Sequence, residues 1–145
     1  MEEEAMIQRV HEHIITELQQ NTRTDTIFVM TAIVLNLLSL GVNSGVASAA
    51  ATSDSKTTAT IVMFTFVALV IVVNLVAIVG LLRGKQSRSK LIGGLLKMYQ
   101  DQGVAGYYDA SLLSNYNTRY NLFILATIFT GAIALVIPFV LFATL

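Results

Sequence analysis

The sequence predicts an all-α integral membrane protein. Its parts are an N-terminal amphipathic helix (1–22), three transmembrane helices and a helical inner loop between the second and third, with the N-terminus inside and the C-terminus outside. Three observations carry this. The 145-residue chain is 54% hydrophobic and 12% charged, with a mean hydropathy of +0.69, a balance outside that of soluble domains. The stretches 26–50, 58–82 and 121–145 contain no Lys, Arg, Asp, Glu or His, and each exceeds the roughly 20 residues that a helix needs to cross a bilayer core. Basic residues also concentrate in one connection. Loop 83–120 holds Arg83, Lys85, Arg88, Lys90, Lys97 and Arg119, whereas loop 51–57 holds only Lys56.

That asymmetry sets the expected orientation, because Lys and Arg in short connections stay on the cytoplasmic side. Loop 83–120 and the N-terminus are then inside, the short loop 51–57 is outside, and Leu145 lies at the outer surface with no outer domain to bind a ligand. All seven Phe fall in the three spans. All five Tyr (Tyr99, Tyr107, Tyr108, Tyr116 and Tyr120) fall in the inner loop, where interfacial placement or packing within the protein suits an amphipathic ring. The first span ends in Ala47-Ser48-Ala49, which mimics a signal-peptidase site. The long acidic stretch before it is unlike a signal peptide, so this span is expected to be retained.

Composition excludes several function classes. Zero net charge argues against a nucleic-acid binder, which needs surplus Lys and Arg to neutralise phosphates. With no cysteine there is no disulfide, thiolate nucleophile, Cys-ligated zinc or palmitoylation site.

In the N-terminal segment, Ile7, Val10, Ile14 and Leu18 repeat at helical spacing while Glu4, Arg9, Glu12 and Glu17 lie largely elsewhere. Helices that lie on anionic lipid carry Lys and Arg on their polar face, and this one is acidic. Packing on the basic inner loop, or on the same helix of another subunit, is the expectation. His11 and His13 point about 200° apart on a helix, so one chain cannot use both on a single metal. No metal or cofactor is expected.

Within the first span, Gly41-x-x-x-Gly45-x-x-x-Ala49, with Ser44 and Ser48 beside it, is a pattern that lets helix backbones approach closely in lipid. Gly80-x-x-x-Gly84 is a weaker version at the end of the second span, and the third offers Thr127, Thr130, Gly131 and Ala134. Asn36, Asn43 and Asn74 are the strongest polar groups within the spans, and an intramembrane amide without a partner is costly. By helical rise, Asn36, Asn74, Thr127 and Thr130 fall at comparable depth. They form a candidate polar layer that either bonds the helices together or lines a conduction path in an oligomer. Pro138 removes a backbone donor, frees the Ala134 carbonyl and is expected to kink the third helix.

The inner loop divides into a basic connector, "RGKQSRSK", an amphipathic segment, "LIGGLLKMYQ", with Leu91, Leu95, Met98 and Tyr99 on one face, and a turn, "DQGVAG". Asp109 is placed to cap a helix that runs into the third span. "GKQSRSK" lacks the spacing and context of a P-loop. Arg83, Lys85, Arg88 and Lys90, directly beneath a span, are expected to meet anionic lipid headgroups. The sequence displays no heptad array, internal repeat or catalytic constellation, so no enzyme is expected.

The leading functional expectation is a homo-oligomeric small membrane protein, a pore or channel controlled from the cytoplasmic side. The alternative is a non-catalytic accessory or anchoring subunit that docks a larger complex, or another protein partner, through its N-terminal helix and inner loop. A multi-pass place in a bacterial or archaeal plasma membrane is expected, with a eukaryotic organelle as the alternative.

Overall fold

Glycine and proline, the usual helix interrupters, are absent from the first forty residues, and the helix that starts at the N-terminus has no reason to stop there. In the computed structural model, which describes residues 2–52, 56–107 and 111–144, it does not. Helix α1 runs Glu2–Thr52, α2 runs Lys56–Asp101 and α3 runs Ser111–Thr144. Their 51, 46 and 34 residues correspond to roughly 76, 69 and 51 Å. All three are long and apolar enough to cross a membrane, and α1 and α2 continue well beyond their apolar stretches.

The separation expected between an N-terminal helix (1–22) and a first span (26–50) is therefore not a break in the backbone. Through "NTRTD", Thr22 donates to the Leu18 carbonyl at 2.9 Å and Thr26 to the Thr22 carbonyl at 2.9 Å, so these hydroxyls are satisfied within the helix. Helix α2 likewise passes through the basic connector and through Gly93-Gly94, both exposed with open space around them. It ends at the expected turn. Gly103 adopts φ 71°, a left-handed conformation suited to glycine, while the Gly103 and Val104 amides donate to the Gln100 and Tyr99 carbonyls. A short 3-10 turn, Ala105–Tyr107, follows. Asp109, the expected cap of the next helix, lies outside the described residues.

The three helices pack pairwise into one bundle in which α2 runs antiparallel to α1 and α3. The buried positions of α1 are Asp25, Val29, Ala32, Asn36, Ser39, Asn43 and Ala47, an alternation of threes and fours up to Asn43. On α2 the buried Met63, Val67, Val70, Ala77, Leu81, Ile92 and Leu95, joined by the half-buried Asn74, Gly84 and Arg88, follow the same rule. This is a coiled-coil seam. The sequence does not display it because small and polar residues occupy many of its positions, while Leu37, Leu38, Phe64, Leu75 and Phe129 face outward.

Glycines set the closest approaches. A Cβ on Gly80 would stand 3.1 Å from the Phe28 ring, one on Gly131 would stand 2.6 Å from the Asn74 amide, and one on Gly84 would run into the Asp25 carboxyl group. Gly41 and Gly45 have nothing within 4 Å of that position. The weaker glycine pair of the sequence is thus the one packed inside the chain, and the stronger pair faces outward. Gly131→Val should destabilise the bundle by about 1–3 kcal/mol, as overpacking does, whereas Gly94→Val should not. Thermal unfolding in detergent, followed by circular dichroism, checks both.

Candidate functional site

Polar residues are spaced along the seam, and the best connected of them lie at its middle. Asn36 donates through Nδ2 to Asn74 Oδ1 at 3.0 Å and to Thr130 Oγ1 at 3.2 Å. Asn74 returns a bond from its own Nδ2 to Asn36 Oδ1 at 2.7 Å and gives another to the Val70 carbonyl at 2.7 Å. One residue from each helix therefore meets in a single cluster. Gly131, one position beyond Thr130, supplies the space for the Asn74 side chain.

Thr127, the fourth residue expected at this depth, is fully buried but bonds to the Phe123 carbonyl of its own helix. The amides face one another inside one chain. Their donors and acceptors bond the three helices to one another.

A second polar cluster lies eleven residues earlier on α1, about 16 Å along the helix. Asp25 is 5% exposed and Tyr120 is 4% exposed, and the Tyr120 hydroxyl donates to Asp25 Oδ2. Gly84 opposite leaves the room that the carboxyl group fills. Arg88 acts electrostatically on both groups, donates through Nη1 to Thr22 Oγ1, and places its guanidinium 4.3 Å from the centroid of the Tyr116 ring. A buried carboxylate is costly unless paired and hydrogen-bonded. Tyr120 supplies the hydrogen bond, and the nearby Arg88 charge partly offsets the cost of burial.

The sequence does not present this cluster as a unit. Asp25 sits one residue before the first uncharged stretch, where a charge reads as a boundary. Tyr120 reads as part of an interfacial belt, and Arg88 as a headgroup contact. In the structure Arg88 is half-buried and turned into the bundle, where it donates to Thr22. Lys85, also half-buried, donates to Asn121 Oδ1 at 2.9 Å, while Arg83 and Lys90 are exposed. The available signal was the spacing. Asp25 falls on the same three-and-four repeat as Asn36.

Asn43, seven residues beyond Asn36, has 0% exposure and no hydrogen-bond partner for either side-chain atom. Pro138 is also fully buried. Of the four positions expected to pack helices, Gly131 does so within the chain, while Gly41, Gly45 and Ala49 are exposed.

At the far end of α1, His11 Nε2 lies 2.8 Å from Tyr99 Oη, with ring centroids 5.8 Å apart. The acidic N-terminal part of α1 thus packs on α2 of its own chain, and His13 is exposed. Among the described residues no group of three or more His, Asp and Glu is placed to hold a metal ion.

The amide pair makes a quantitative expectation. Asn36→Leu and Asn74→Leu should each destabilise the fold, since each strands a buried amide. The double variant should lose less than the sum of the two, with a coupling of about 0.5–2 kcal/mol. Unfolding in mixed micelles measures all three. Tyr120→Phe should cost about 1–3 kcal/mol by leaving Asp25 without its donor, read in the same assay.

No family model, curated protein or solved structure matches this chain, so a functional reading rests on the geometry of its own residues.

Proposed function

We propose that the protein is a homo-oligomeric, multi-pass membrane protein whose copies meet through the outer half of α1, with the N-terminus and the segment 83–120 on the cytoplasmic side. The observation that carries this is the stripe Gly41, Gly45, Ser48 and Ala49, exposed on one face of α1, with open space around both glycines. Glycine inside a helix costs about 1 kcal/mol relative to alanine. Gly80, Gly84 and Gly131 offset that cost through close approach within the chain. Gly41 and Gly45 offset it only if another helix lies against them, and in lipid a small-residue face favours such a contact.

In this reading a conduction path, if the assembly forms one, runs between copies along α1. The Asn36–Asn74–Thr130 cluster has its bonds inside the subunit and holds the subunit together. The accessory-subunit reading finds its support in the cytoplasmic part of α1, where Met6 and Val10 are exposed beside acidic residues. It predicts partner capture that depends on residues 1–22.

Because the chain has no cysteine, oxidative cross-linking tests the interface cleanly. Ser48→Cys should form disulfide-linked dimers in liposomes, whereas Leu75→Cys, on an outward face of α2, should not. Gly41→Ile and Gly45→Ile should reduce the Ser48→Cys cross-link several-fold. A monodisperse monomer in detergent, with Ser48→Cys no more reactive than Leu75→Cys in liposomes, would overturn the assembly. Ion flux in the same liposomes, lost with Gly45→Ile, would support conduction between copies.

A further inference from the structure

Beyond the apolar stretches, α1, α2, the 3-10 turn and the start of α3 do not close fully against one another. A cavity of about 340 Å³ opens between them, with Ile15 and Leu18 from α1 and Ile92, Leu95 and Leu96 from α2 as its apolar walls. Arg88, Thr22 and Tyr116 stand at the end nearer the apolar stretches. Ligand pockets have this construction, with mostly apolar walls and a few polar groups that fix orientation.

The guanidinium at that end is under-satisfied. It donates to Thr22 and lies on the Tyr116 ring, while its Nε has no hydrogen-bond partner and is closed off from the cavity as the side chain stands. Stacking on an aromatic face leaves the in-plane N–H groups of arginine free to bind an oxyanion. Arg119, which with Asp25 and Arg88 lines a small adjoining cavity, adds a second positive charge, against the one carboxylate already bonded to Tyr120. The local balance favours an anion.

We propose that this cavity binds an amphipathic anion, with a carboxylate or similar oxyanion on Arg88 and an apolar body along Ile15, Leu18, Ile92 and Leu95. The direction of the cavity identifies the occupant further. From Arg88 the apolar wall follows α2 for seven residues to Leu95, roughly 10 Å, away from the apolar stretch 58–82. A bilayer phospholipid has the reverse polarity, with its charged head farthest from the hydrocarbon. The occupant is therefore a free, single-tailed amphiphile that enters from the stalk, the part of α1 and α2 that continues beyond the apolar stretches. This site does not depend on the self-association proposed above.

The test uses the full chain in nanodiscs of zwitterionic phosphatidylcholine, with a diazirine-bearing decanoic acid as probe and peptide mapping of the cross-links. Labelling should fall on 15–18 and 92–96, and decanoate should compete at least tenfold better than decylammonium or decanol. Arg88→Gln should weaken labelling about tenfold or more, while Lys90→Gln, at an exposed neighbour, should leave it unchanged. Leu95→Trp, which fills the cavity with Arg88 intact, should also abolish it, and the competition series on the unaltered chain needs no variant. Three results would each overturn the site. These are labelling confined to outward residues such as Leu75 and Phe129, equal competition by decylammonium, or displacement of the probe when phosphatidylglycerol replaces phosphatidylcholine.

Discussion

The reciprocal amide pair between Asn36 and Asn74 is the contact that sets the register of the bundle. Aliphatic side chains tolerate sliding, but paired amides are directional, and a slip of one helical turn, about 5.4 Å, would strand both amide oxygens. From that pair the other facing residues of α1 and α2 follow at equal distances. Thr22 lies 14 residues before Asn36 and Arg88 lies 14 after Asn74; His11 and Tyr99 lie 25 away on each side. The two helices therefore hold one register over roughly 37 Å without a bulge or a break. Asp25 meets Gly84 and Phe28 meets Gly80 within one or two residues of the same register.

The seam of this bundle holds more polar residues, and its outside more large apolar ones, than a water-soluble coiled coil. In water, large apolar residues mark the seam because burial drives association. Between helices in hydrocarbon the outward positions are as apolar as the solvent, and close packing and hydrogen bonds provide the association. Asp25, Asn36, Ser39, Asn43 and Thr127 are accordingly inside, while Leu37, Leu38, Ile71, Leu75 and Phe129 are outside. This arrangement suits a membrane, and it would leave a large apolar surface exposed in water.

The uninterrupted helices also join the two ends of the molecule mechanically. No described break separates the stalk from the apolar part of α1 or α2. Arg88 belongs to both regions, since it lines the stalk cavity and also acts on Asp25 and Tyr120 at the base of the apolar part. An anion drawn to Arg88 would compete with those partners. Ligand occupancy in the stalk would then bear directly on how α2 and α3 hold α1 around Asp25.

The sequence by itself determined the number of long apolar segments, the all-helical class and the candidate polar residues Asn36, Asn74 and Thr130. Hydropathy and helical rise are local properties, and they suffice for these. Which glycines pack, which way Arg88 turns and whether Asp25 is buried were decided by the tertiary structure. These depend on what stands opposite each residue. Gly41-x-x-x-Gly45 and Gly80-x-x-x-Gly84 are the same pattern on one strand of sequence, but only the second has Phe28 and Asp25 across from it. Asp25 at the edge of an apolar stretch reads as a boundary until Gly84 and Tyr120 are seen around it. The seam was hidden for the same physical reason: where the surroundings are apolar, hydropathy no longer distinguishes inside from outside, and only the partner across the interface does.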